Sequence, residues 1–180
     1  MIVRKIALVF SVTILMLHCS PSQKLVENNA ALDGLIAQKR FEIKVRTVEP
    51  LVTQAMAQVA NSGMLPPGNT ISRIDVTGQG HFIKVHGDSV SANLPYFGER
   101  QMGGGYDDNP GIKFNAIPKN IEIIREDDKN RHRIKFTIND KTETFIINTE
   151  VYPNSSALVS IRSSHRNPIR YSGTVGELEE

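Results

Sequence analysis

The chain has one thiol, Cys19, and its position is more informative than its chemistry. A lone cysteine can neither close an intramolecular disulfide nor build a multi-cysteine zinc site. Cys19 follows an apolar run from Ile6 to Leu17, broken by Ser11 and Thr13 and preceded by Arg4 and Lys5. That run is shorter than the roughly 20 residues that span a bilayer as a helix, and it has the length and flanks of a secretory signal. A cysteine directly after such a run is where a bacterial lipoprotein is acylated. Residues 1–18 are therefore expected to be a lipoprotein-type signal peptide and Cys19 the lipid attachment site. His18 stands where a small residue is usual, so an ordinary signal peptide or a retained anchor is the other reading.

The second candidate lies between Leu94 and Gly111. It combines Tyr96, Phe97 and Gly98 with Gly103, Gly104, Gly105 and Tyr106. Aromatic rings offer flat contact surface, and glycines admit backbone conformations that other residues avoid. The segment is expected to be a ligand- or partner-binding loop, or else a plug whose glycines only turn the chain. Gly103 to Gly105 lack the Lys-Ser/Thr of a phosphate loop. Asp107, Asp108 and Asn109 lack the alternating ligands and closing glutamate of a calcium loop, and Asp127 and Asp128 do too.

His81 and His86, five apart, fall on opposite faces of one strand. His132 and His165 have no partner spacing, so surface histidine is the expectation for all four. There is no Gly-x-Ser-x-Gly elbow. Arg162, His165, Arg166 and Arg170 form a basic stretch that could meet lipid phosphates, though a solvated edge that resists strand-to-strand aggregation is the plainer expectation. No catalytic residue, metal site or cofactor is expected, and the chain does not read as an enzyme.

The elements that must position these residues are legible in outline. Without residues 1–18 roughly 160 of the 180 residues remain, about one domain. A formal charge of +2 leaves no clustered basic excess, so a nucleic-acid partner is not expected. Residues 19–28 read as a polar tether. Asn29 can cap a short helix carrying Leu32, Leu35 and Ile36. Phe41, Ile43 and Val45 alternate as a half-buried strand that Pro50 ends, and a second short helix follows from Leu51 to Asn61.

Gly87 and Asp88 mark a two-residue turn between His81–His86 and Ser89–Leu94. This sets Val85 opposite Val90 and Ile83 opposite Ala92. Later strands are expected at 112–115, 120–125, 133–138, 143–151, 157–162 and 169–173. A four-residue loop after Ile138 would set Phe136 opposite Phe145 and Ile134 opposite Ile147. Glu177 to Glu180 form an acidic tail expected to fray. The sum is a mainly β protein: a small antiparallel β-barrel-like domain over 29–176, with one or two short N-terminal helices.

Gly87-Asp88-Ser89-Val90, then Leu94-Pro95-Tyr96-Phe97-Gly98, then a glycine-rich stretch and Gly111-Ile112-Lys113-Phe114, resemble the DUF4251 family. The ending Arg166-Asn167-Pro168-Ile169-Arg170-Tyr171-Ser172-Gly173 fits its C-terminal pattern, and the resemblance runs from about Leu35 to Val175. It implies a secreted or lipid-anchored bacterial protein, mostly of Bacteroidetes, with a barrel similar to the lipocalin type. It supplies no activity and no catalytic residue. The expected function is a monomeric envelope lipoprotein held at the membrane by its N-terminal lipid. It would bind a small apolar ligand or an envelope protein partner without catalysis. A structural or assembly protein with a packed barrel is the second expectation, and an enzyme without a motif the third.

Overall fold

The computed structural model describes residues 29–63, 65, 67–102, 111–140 and 143–179. The signal peptide, Cys19, the tether, and Gly103, Gly104, Gly105 and Tyr106 lie outside the described residues. The elements in chain order are α1 (Ala30–Ala37), β1 (Arg40–Pro50), α2 (Gln54–Asn61), β2 (Ile74–Asp75), β3 (Phe82–His86), β4 (Ser89–Leu94), β5 (Ile112–Ala116) and β6 (Lys119–Glu126). After a 3-10 turn (Asp127–Lys129) come β7 (Arg131–Asp140), β8 (Glu143–Val151), β9 (Ser156–Ser163) and β10 (Ile169–Gly176). The domain is mainly β, antiparallel and barrel-like, as the sequence pattern predicts. No helix among the described residues is long and apolar enough to cross a membrane.

One ten-stranded sheet runs in the order β5-β4-β3-β1-β10-β9-β8-β7-β6, with β2 paired to β1. Its two edge strands, β5 and β6, are consecutive in the chain, joined only by Ile117 and Pro118. The curled sheet therefore brings its edges together through a covalent corner rather than a hydrogen-bonded ladder. Pro118 has no N–H to donate, and Asn120 adopts a left-handed φ of 53°, a conformation asparagine tolerates better than most residues. Across the interior, the Phe114 ring of β5 stands 6.0 Å from the Phe145 ring of β8.

Strict alternation makes the interior. Ile134, Phe136 and Ile138 on β7 and Phe145, Ile147 and Val151 on β8 are all buried. The intervening Arg133, Lys135, Ile146 and Asn148 face outward with their strands' other parity. Val159 and Ile161 of β9 and Ile169 and Tyr171 of β10 continue the inner surface. The β3–β4 hairpin has the expected register, with Val85 opposite Val90 and Ile83 opposite Ala92. Gly87 carries the positive φ of 59° that such a turn needs.

The β7–β8 hairpin departs from expectation. Asp140 stands opposite Glu143, leaving only residues 141–142 between the strands, and Phe136 faces Ile147 rather than Phe145. Asn139 and Asp140 extend β7. The change in register keeps every apolar side chain on its predicted face. Glu143 faces inward in either register; the longer loop is the better apolar match only against a turn at Asn139 and Asp140, whereas β7 continues through both. β2 is a second difference: two residues are too few to leave an alternating pattern.

α1 closes one end of the barrel. The Asn29 side chain accepts a hydrogen bond from the Leu32 N–H at 3.1 Å and donates from Nδ2 to the Pro153 carbonyl at 3.0 Å. Leu32 and Ile36, four residues apart and so on one helix face, are buried. Asp33 reaches His132 Nε2 at 2.6 Å, and His132 is 8% exposed. His132 is thus a buried partner of the helix rather than a surface histidine, because its alternation with Ile134 and Phe136 points it inward. Beyond β10, Glu179 pairs with Lys44, and its carbonyl accepts from Lys84 Nζ at 2.9 Å.

Gly173 sits where β10 crosses the irregular pairing of β1 between Val45 and Thr47. A Cβ there would fall 2.2 Å from the Lys44 carbonyl oxygen. Backbone rather than a movable side chain blocks it, so glycine is required. Gly173→Ala is expected to lower stability by about 3 kcal/mol or prevent folding, measured by urea unfolding. An unchanged midpoint would show that β1 can yield.

Candidate functional site

The end of the barrel opposite α1 is built around a charge that the alternation of β8 turns inward. Glu143 opens β8 at 7% exposure, and Arg166, in the connection between β9 and β10, is equally buried. The guanidinium meets the carboxylate through Nε at 2.9 Å and 3.2 Å and through one terminal nitrogen at 3.2 Å. Its other terminal nitrogen donates to the Gly111 carbonyl at 2.9 Å. Arg100 adds a contact to Glu143 at 3.3 Å, and the Ser163 hydroxyl donates to the same carboxylate. Burial is the largest single influence on Glu143 and favours its protonated form. Ser163, Arg166 and Arg100 together outweigh it, so the carboxyl stays below its usual pKa. Arg166 is therefore a buried anchor and not part of a solvated basic edge.

The aromatic loop is fastened to this pair. The Arg166 guanidinium lies 5.1 Å from the centre of the Tyr96 ring, a cation–π contact. The Tyr96 hydroxyl is within donor reach of the Glu99 carbonyl at 3.0 Å and the Asn167 carbonyl at 3.1 Å. Burial pushes its pKa up, against the opposing pull of Arg166. Main-chain bonds zip the two loops together: Gln101 N–H to the His165 carbonyl at 2.7 Å and Asn167 N–H to the Glu99 carbonyl at 3.2 Å. Phe97 packs against the core. Beneath them the Tyr171 hydroxyl donates to the Pro95 carbonyl at 2.9 Å, and burial raises its pKa strongly.

Gly98 owes its identity to this arrangement. A Cβ would come within 2.7 Å of the Tyr96 hydroxyl oxygen. The structure thus brings Tyr96, Phe97 and Gly98 together as a closure of the barrel end, with Arg100, Gln101 and Met102 on its outer side. Sequence reasoning missed Glu143 and Arg166 as partners, since 23 positions separate them. The available signal was a glutamate at an inward position of an otherwise apolar strand face, which demands a buried cation.

A concavity among the described residues lies elsewhere, outside the sheet. A groove of about 700 Å3 runs between the outer face of β9 and β10 and the chain leaving β1. Glu49, Arg170 and Ser160 line it in one cross-strand row, with Arg162 farther along β9. Leu51 and Val52 stand in its wall at 49% and 51% exposure. Neither hydrophobe has a place in the core, and the sequence pattern had assigned both to a helix that begins only at Gln54. Among the described residues no three His, Cys, Asp or Glu side chains gather as a metal site.

Two substitutions test the closed end. Gly98→Ala is expected to displace Tyr96 and cost about 1–2 kcal/mol. Glu143→Gln removes the carboxylate that Arg166 meets in the buried pair and is expected to cost about 3 kcal/mol at pH 7. Because the folded pKa of Glu143 is depressed, its contribution is complete above the ordinary glutamate value of about 4.3. It fades as pH falls through the lower folded value. The gap between parent and Glu143→Gln in urea unfolding should therefore close in strong acid; a constant gap would show that the carboxylate charge is not what stabilises this end.

No curated protein matches the chain. Residues 23–175, most of its length, match the model of a domain of unknown function, DUF4251. With the aromatic loop, the β3–β4 turn and the Arg166 to Gly173 segment all inside that match, the chain belongs to the DUF4251 family.

Proposed function

We propose that the protein is an exported envelope module, anchored through acylated Cys19, that binds without catalysis from the outside of its barrel. The observation that carries this is the contrast between interior and exterior. Tyr171, Phe41, Phe136 and a set of isoleucines fill the interior at under 2% exposure. α1 closes one end and the Tyr96 loop the other. A lipocalin-like carrier needs the opposite arrangement, an open mouth and an interior cavity of about 300 Å3 or more. Here a concavity of that size lies outside, the groove beside Arg162 and Arg170. A packed interior also suits a purely structural module. Exposed Leu51 and Val52 beside two arginines favour binding, since nothing in the fold requires them there.

Geometry adds an orientation. The tether would enter at α1, and the groove and the Tyr96 loop lie toward the other end, where β10 begins. An acylated Cys19 would thus leave them facing away from the anchoring bilayer.

Native mass spectrometry of the full chain purified from its own envelope tests the exterior reading. The expected result is the covalent chain mass, with no additional component that survives the loss of Arg162 and Arg170. An apolar molecule lost on denaturation but retained by the Arg162→Ala, Arg170→Ala double variant would place a ligand inside the barrel and overturn it.

A further inference from the structure

The outer groove also indicates what kind of ligand it accepts. Arg170 stands opposite Ser160, and Arg162 lies two residues farther along the same face of β9. The two stems therefore start a diagonal-neighbour distance apart, about 7–8 Å, within reach of one oxyanion. Their charge is not neutralised. Glu49 approaches Arg170 at 3.8 Å, a loose pair between exposed groups, and Arg162 makes no ion pair among the described residues. Two guanidiniums thus face one carboxylate. Arginine is suited to such a task because its planar fork matches a carboxylate or phosphate.

Beside these cations the lining is largely apolar, with Pro50, Leu51, Val52 and Pro168, and Ser72 among them. β1, β10 and β9 are inner strands of the sheet order. On the floor Arg170 and Ser160 are paired in ladders on both sides, so an extended peptide cannot add there by main-chain pairing. Recognition is left to side chains, guanidinium for an oxyanion and aliphatic surface for an apolar body.

We propose that the groove binds a free, single-chain amphiphilic anion, its carboxylate or phosphate head on Arg162 and Arg170 and its apolar body along Leu51, Val52 and the two prolines. This rests on the exterior binding function proposed above and names the ligand class for it. A volume of about 700 Å3 lies within the usual range for small-ligand sites.

Calorimetric titration of the full chain tests it, using dodecanoate and dodecyl phosphate below their micelle-forming concentrations and dodecyltrimethylammonium as the charge-reversed probe. Dodecanoate or dodecyl phosphate should bind one per chain, and the two arms tell carboxylate from phosphate. The ammonium probe should bind at least about tenfold more weakly. Arg162→Ala and Arg170→Ala should each weaken the bound anion about tenfold, with thermal unfolding unchanged because both side chains are exposed. Leu51→Ser should weaken it as well. Equal binding of the ammonium probe, or arginine variants that bind like the parent, overturns the proposal. If neither anion binds but a short acidic peptide does, in an arginine-dependent way, the amphiphile is wrong and the exterior reading stands. A ligand retained in the interior by the double arginine variant defeats that reading itself.

Discussion

Glu143 and Arg166 meet in a place from which water is largely withdrawn, and much of the molecule is arranged around that encounter. Either charge alone at this depth would be strongly unfavourable. Together, with Ser163 and Arg100 on the carboxylate and the Gly111 carbonyl on the guanidinium, they complete each other's hydrogen bonding. Through Arg166 the connection between β9 and β10 touches the start of β8, the return of the glycine-rich loop and the face of Tyr96. One buried pair thereby joins three segments distant in sequence, and the Tyr96 loop takes its shape from the contact. Such a pair is not by nature a large source of stability. What it enforces is geometry, because any arrangement that parts the two charges leaves one of them buried and alone.

The two ends of the barrel solve the same problem by different means. At the α1 end, a capped helix lays Leu32 and Ile36 over the core, and polar contacts from Asn29 to Pro153 and from Asp33 to His132 set its position. At the other end irregular loops do the work, and loops carry many unpaired backbone groups. There the carbonyls of Pro95, Glu99, Gly111 and Asn167 are taken up by Tyr171, Tyr96 and Arg166. The tyrosines and the arginine serve as satisfiers of backbone as much as apolar cover, which explains why aromatic and cationic residues concentrate at this closure. A barrel end sealed in this way leaves the inner face to packed side chains and the outer face to solvent.

That division makes the outer groove informative. On the inner face β3, β4 and β7 to β10 follow the alternation that a core imposes. On the outer face the same alternation leaves the choice of residue free, and solvent favours polar side chains. Leu51 and Val52 depart from that preference beside Arg162, a cation without an ion-pair partner among the described residues. Features that folding does not demand are where function is best sought.

The sequence by itself determined the class of fold, the positions of the strands other than β2 and, in the β3–β4 hairpin, the register. All of these rest on short-range chemistry: a period of two, a turn that needs a positive φ at Gly87, and the pairing of like with like across two residues. It also determined that no local motif for a metal or a nucleophile is present. The β7–β8 register was beyond its reach, because registers two residues apart share the same inward faces and each sets apolar residues opposite one another. So was the role of Arg166, which reads as one of several surface cations until the barrel curls it inward. The covalent corner that unites the sheet's edges and the groove outside β9 and β10 likewise exist only once the strands are in place. Local propensity is written residue by residue, whereas a buried charge, a closed end and a concave surface are properties of what the folded chain brings together.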